Sequence, residues 1–328
     1  MKSPSEGAGR GMVKKILGIT LRWGLMGLCL FLLFRGLDWI EFWESLKKLG
    51  FVPVLLAVLF SLIQYVPVAM RFNFLTKFRA GFLTALKASV FCLGINNLFP
   101  AKLGEVAKAF YLRKKTGIQL GEGLGLIFWE RLFDLNMLMV VGLIAAASMG
   151  RNEGVLLLGL TVVGLWAFVI ALRINFKIHD LVLKIVPGQR LKLVASDVMH
   201  QLRNGMSASF FLSLFLYSLV SWFLFAAMYF VVLWGVGGLE ISAVQVLSVF
   251  AIATLGYAVP ASPGGLGIFE WAFVTTLGAF DVTKGPALAC ALVMRFCIYV
   301  PPVLAALWVM AQSGMSLKGI REQQAETL

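Results

Sequence analysis

The chain of 328 residues is 60% hydrophobic and only 14% charged, with a formal net charge of +13 and a mean hydropathy of +0.88. Soluble globular domains carry about 25% charged residues, so this composition excludes one. The sequence reads as an all-α polytopic membrane protein of about six full transmembrane helices plus two re-entrant helical hairpins in an inverted repeat, with membrane lipids as partners and no nucleic acid.

Residues 1–15 form a cytoplasmic N-terminus in which Lys14 and Lys15 precede an apolar run over 16–34. No small-residue cleavage site follows, which predicts an uncleaved first span rather than a signal peptide. Over 38–49, Trp39, Phe42, Trp43, Leu46 and Leu49 share one helical face and Asp38, Glu41, Glu44, Lys47 and Lys48 lie elsewhere, as in a helix lying in the membrane interface. Further spans are predicted near 51–70, 119–148, 154–172, 209–234 and 285–311. Cys29, Cys92, Cys290 and Cys297 fall in apolar stretches without metal-ligand spacing and read as small packing residues, so no disulfide, metal or cofactor is expected.

Two apolar segments remain, 82–112 and 243–280, each broken in its middle by a Pro-Ala element. The first holds Pro100-Ala101 followed by Glu105, with Arg131 on the next span; the second holds Pro260-Ala261 followed by Glu270, with Arg295 on the next span. If each is a hairpin that enters and leaves by one face, the basic residues of 71–87, 113–115 and 173–203 all fall inside. Only Arg35, Lys47, Lys48, Arg151 and Lys284 then remain in outer loops, as the positive-inside rule requires. This topology makes 16–312 a single integral membrane domain between two cytoplasmic termini, the second being 313–328. Repeat 1 covers 82–148 and repeat 2 covers 243–311, inserted from opposite faces, with a cytoplasmic linker at 173–207. Inverted repeats of broken helices meeting near the midplane are a common architecture of secondary transporters. The linker's excess of Lys177, Lys184, Arg190, Lys192 and Arg203 over Asp180 and Asp197 suits either contact with anionic headgroups or a plain solvated connection.

Several polar residues fall at membrane depth. In NNLFPAKLGE, Asn96 and Asn97 offer amide donors and acceptors, Pro100 breaks the helix, Gly104 permits close approach, and Lys102 and Glu105 bring opposite charges to the tip. The polar residues of such a hairpin either line a site or satisfy one another. In PASPGGLGIFE, Pro260, Pro263, Gly264, Gly265 and Gly267 preclude a continuous helix; a helix starting near Gly267 aims its free amides at the tip and favours an anion, unless the tip is a plain turn. Glu130, Arg131 and Asp134 share one span, with a local ion pair expected between Arg131 and Asp134. Arg295 has no local partner and needs Glu105, Glu270 or a lipid phosphate; a salt bridge and a phosphate ligand both remain open.

NNLFPAKLGE, ERLFD at 130–134, PGGLG-F-E at 263–270 and R-x-x-x-Y from Arg295 to Tyr299 together resemble the membrane domain of the lysylphosphatidylglycerol synthase/flippase family over about 14–312. The resemblance implies movement of phosphate-bearing lipids between leaflets of a bacterial or archaeal cytoplasmic (inner) membrane. It also implies a glycosyltransferase as one candidate partner beside a homo-oligomer. The chain stops at Leu328, before any aminoacyltransferase domain, so lysine transfer is not expected. The sequence carries no nucleotide-binding loop, and His179 and His200 both fall in the linker, so no catalytic residues and no enzyme activity are expected. The candidates are a lipid flippase, whose carboxylates Glu105, Glu130 and Glu270 carry any coupling proton, a small-solute or ion transporter, and a non-transporting accessory protein.

Overall fold

A computed structural model describes residues 20, 23–99, 103–174, 176–186, 188–203, 207–258 and 262–315. The described chain is helical, without strands. Pro100, Lys102 and Pro260, like the two terminal tails, lie outside the described residues.

Helix α1 covers Trp23–Phe34, so the start of the predicted 16–34 span is not described. Helix α2, Trp39–Lys47, is capped by Asp38, whose carboxylate accepts from the amides of Ile40 and Glu41. It buries Phe42 on the bundle and leaves Trp39 and Trp43 more than half exposed. Helices α3 (Phe51–Ile63) and α4 (Tyr65–Leu75) run on as one apolar stretch, Phe51–Leu75.

Helices α5 (Phe82–Leu98) and α6 (Leu103–Thr116) pack against each other. At 17 and 14 residues they are roughly 25 and 21 Å long, too short for a hydrocarbon core of about 30 Å. Helix α7 (Leu120–Ser148) is long enough to cross, as is α8 (Asn152–Ile174). Helices α9 (Phe176–Ile185) and α10 (Gln189–Arg203) follow in the linker. Helix α11 (Ala208–Phe230) continues as a π-helical turn, Val231–Val236.

The second broken segment also folds as two short helices. Helices α12 (Ala243–Ala258) and α13 (Ile268–Gly278) form another packed pair of short helices, joined through a 3-10 turn at Pro263–Gly265, and the long α14 (Lys284–Ser313) follows. Each long helix crosses over to the other half: α7 lies against α12, and α14 lies against α5. Five helices are long and apolar enough to cross a membrane among the described residues, and the short pairs supply the rest of the polytopic bundle.

Two hydrophobic cores result. One gathers α4 to α7 with Ala306 and Val309 of α14; the other gathers α11 to α13 with the stretch of α14 from Ala287 to Ile298. Helix α14 therefore serves both cores, and Pro301 and Pro302 sit at the join. Each proline removes the donor for the carbonyl four residues earlier, leaving those of Cys297 and Ile298 without intrahelical partners. Ser61 Oγ donates to Cys297 O at 2.5 Å, and Asn97 Nδ2 donates to Ile298 O at 3.0 Å. Gly94 lets α5 approach this break, since a Cβ there would collide with the Pro302 carbonyl.

One topological expectation is corrected. Arg71 does not belong with the inner basic residues of 71–87; it is 1% exposed within the bundle. The apolar stretch runs beyond residue 70 to Leu75, and carboxylates on α7 compensate the guanidinium there.

Candidate functional site

Between the two hairpins lies a cavity of about 630 Å³. Asn96, Glu105, Arg131 and Asp134 line one side, and Gly264 and Gly265 of the second tip line another.

The charged wall is built on α7. Glu130 and Asp134 stand one helical turn apart, and three cations from three helices converge on them. Lys108 Nζ lies 2.7 Å from Glu130 Oε2 and 3.2 Å from Ser89 Oγ, above the Phe72 ring at 3.5 Å. Arg71 reaches Asp134 Oδ1 at 2.7 Å and Glu130 Oε1 at 3.3 Å, and donates to Ser218 Oγ at 2.9 Å. Arg131 Nη2 lies 3.0 Å from Asp134 Oδ2 and 3.5 Å from Glu130 Oε2, so the local pair expected from the sequence is present. Trp222 Nε1 also donates to Asp134, at 3.3 Å.

Exposure separates these cations. The side chains of Arg71 and Lys108 are 1% exposed, whereas that of Arg131 is 40% exposed. Since Arg131 lines the cavity, its free surface is available to whatever enters. Its planar fork suits two-point contact with a phosphate or carboxylate.

The first hairpin tip closes on itself through Asn96. Its Oδ1 accepts from the Gly104 amide at 2.8 Å, and its Nδ2 donates to Glu105 Oε1 at 3.2 Å. A Cβ at Gly104 would collide with the Cys92 carbonyl, so the close approach expected of this glycine is observed. Asn97 turns the other way. Its Oδ1 accepts from Tyr257 Oη at 2.6 Å while its Nδ2 holds Ile298 O, tying the first hairpin to α12 and α14 together. Because a carbonyl only accepts, the Ile298 contact fixes which end of the amide faces it.

The second tip corrects an expectation. Gly264, Gly265 and Gly267 have φ of 56°, 67° and 84°, in the left-handed region that glycine adopts at no steric cost. The anion site expected at the start of α13 is filled from within, because the Gly267 amide donates to Glu270 Oε2 at 2.8 Å. Glu270 Oε1 in turn meets Arg295 Nε at 2.5 Å, and the same guanidinium donates to the carbonyls of Gly264 and Gly265. Of the partners open to Arg295, geometry selects Glu270. Tyr299 packs against the turn at Gly264. Glu270, Arg295 and Tyr299 thus hold the tip's shape from beneath and do not line the cavity.

Sequence reasoning missed Arg71, Lys108 and Tyr257. Lys108 carried the signal that drew attention to Arg295, a lone cation within an apolar segment; Tyr257 carried none, since its role depends on a residue on another hairpin.

A family profile described as "Lysylphosphatidylglycerol synthase TM region" matches residues 16–306. Among curated relatives, a UPF0104 membrane protein of Methanocaldococcus jannaschii is 26% identical over 64% of this chain and 90% of its own length. A UPF0104 membrane protein of Methanothermobacter thermautotrophicus is 29% identical over 70% of each chain. The inner membrane protein YbhN of Escherichia coli is 24% identical over 83% of this chain and 84% of its own length. With nearly its whole length matched by that profile, the chain belongs to the family of lysylphosphatidylglycerol synthase transmembrane regions.

Proposed function

We propose that the protein moves a phosphate-bearing lipid, a phospholipid or a polyprenyl-phosphate-linked lipid, between the leaflets of a cytoplasmic membrane. The observation that carries this reading is the cavity between the hairpin tips, with the open guanidinium of Arg131 on its wall. At about 630 Å³ it falls in the range of small-molecule sites and suits a headgroup rather than a whole lipid. Its lining passes from the charged wall to apolar residues, among them Leu135, which is 36% exposed. A lipid bound there keeps its phosphate on Arg131 and its chains in the bilayer.

The reciprocal packing of α7 on α12 and α14 on α5 supports two halves that rock about the site, and the distribution of basic residues in the sequence favours opposite insertion of the two with both termini cytoplasmic. The charged cluster carries no chemistry of bond-making in this scheme, and the protein acts as a transporter rather than an enzyme. An accessory protein with fully paired internal charges has no use for a cavity with an open arginine. A small-solute transporter is distinguished by experiment.

The test is leaflet-resolved movement of fluorescent phosphatidylglycerol in proteoliposomes. Wild type is expected to exceed protein-free vesicles, and Arg131→Ala to fall at least tenfold, the loss of about 1.4 kcal/mol or more of binding or barrier lowering. Phosphate uptake without lipid movement would favour the solute transporter instead.

A further inference from the structure

We propose that Glu105 is the proton-coupling carboxyl of this cavity, taking up one proton as an anionic, phosphate-bearing headgroup settles on Arg131. The inference rests on the lipid-translocation reading above and identifies what balances the headgroup's charge.

The carboxylates at membrane depth differ in what they would have to give up to accept a proton. Glu130 is held by Lys108 at 2.7 Å and Arg71 at 3.3 Å, and Asp134 by Arg71 at 2.7 Å and Arg131 at 3.0 Å. Glu270 is held by Arg295 and by the Gly267 amide. Protonating any of these gives up an ion pair, and protonating Glu130 or Glu270 strands a buried cation, Lys108 or Arg295. Among the described residues Glu105 receives only the Asn96 amide, on Oε1 at 3.2 Å. Its buried Oε2 has no hydrogen-bond partner among the described residues, and no cation among them lies within ion-pair distance. An unpartnered carboxylate oxygen beside a cavity is placed to take a proton and become a donor.

Charge balance gives the reason for uptake. Around the cavity the described cations are Arg71, Lys108 and Arg131, and the carboxylates are Glu105, Glu130 and Asp134, an even match. A headgroup with one negative charge upsets it in a region of low dielectric, where an unbalanced charge is costly. Neutralising Glu105 restores the match and leaves every ion pair intact.

The groups that act on Glu105 come from several elements. Cys92 and Asn96 face it from α5, Arg131 from α7 beside Glu130, and Tyr257 from α12, while Lys108 lies one turn further along α6. Lys102, three residues earlier in the sequence, is outside the described residues. Among the described residues Arg131 is a cation that acts on Glu105, and a phosphate on Arg131 cancels part of its positive field.

Calorimetric titration of the purified full chain with dihexanoyl phosphatidylglycerol, at one pH in two buffers of different ionisation enthalpy, reads the protons taken up per lipid bound. Wild type is expected to take up one proton, Glu105→Gln none, and Glu105→Asp one. Binding without uptake in wild type, or unchanged uptake in Glu105→Gln, overturns the coupling role and leaves the lipid reading standing. If inorganic phosphate elicits the uptake and the lipid does not bind, Glu105 stands and the lipid reading falls. If neither ligand binds wild type, both fall.

Discussion

Glu130 shows what a residue can do that its neighbours in sequence do not reveal. It is the only carboxylate among the described residues within ion-pair distance of Lys108, and both side chains are 1% exposed. Glu130→Gln therefore leaves an ammonium buried without a counter-charge, a loss of about 3–5 kcal/mol by the measure of other buried pairs. Lys108→Met added to that variant removes the stranded charge and keeps an apolar stem of similar length over Phe72. The double variant is expected to unfold in detergent at a higher temperature than Glu130→Gln alone; a further fall on adding Lys108→Met would mean that Lys108 draws its stability from elsewhere. The local pair of Arg131 with Asp134 was legible because three residues on a helix fix a separation. The contacts of Arg71 and Lys108 were not, because they depend on which helices come together. For Arg295, one turn of sequence logic left Glu105 and Glu270 both open, and only the path of the second tip decided between them.

At the scale of elements, the two hairpins were readable because proline and glycine interrupt apolar segments too long for one short helix and too broken for a span. What joins them was not readable, since it runs through Asn97. That side chain supplies the donor that Pro302 denies to Ile298 O and accepts from Tyr257 on the opposite hairpin. Asn97→Leu leaves both groups buried and unmade, at a cost of about 1–3 kcal/mol. Pro302→Ala restores an amide that can serve Ile298 O within α14 itself. In that background Asn97→Leu is expected to cost measurably less, and the difference in a double-mutant cycle followed by chemical denaturation gives the strength of the link. Equal costs in the two backgrounds would show that Ile298 O never depended on Asn97. The sequence also placed Asn97 beside Asn96 as a second residue of the same tip, whereas the fold turns them to separate tasks: one closes the first hairpin, the other fastens it to the second half.

For the whole molecule, the arrangement of two cores sharing α14, with a cavity between their hairpins, requires that the cavity open if it is a route. The four cysteines are all buried, so the unmodified chain is expected to resist a membrane-impermeant thiol reagent while folded. That background lets a single introduced thiol report on the cavity. Ala258, at the end of α12, is small, half-buried and part of the cavity wall, and a cysteine there adds only a sulfur atom. Ala258→Cys is expected to react with a cationic methanethiosulfonate in reconstituted vesicles and to lose lipid movement once modified. Short-chain phosphatidylglycerol is expected to slow the reaction, because a headgroup on Arg131 occupies the space the reagent must enter. Modification at a rate indifferent to the lipid, with lipid movement intact afterwards, would mean that the cavity is sealed space between packed halves and that lipid crosses by another surface.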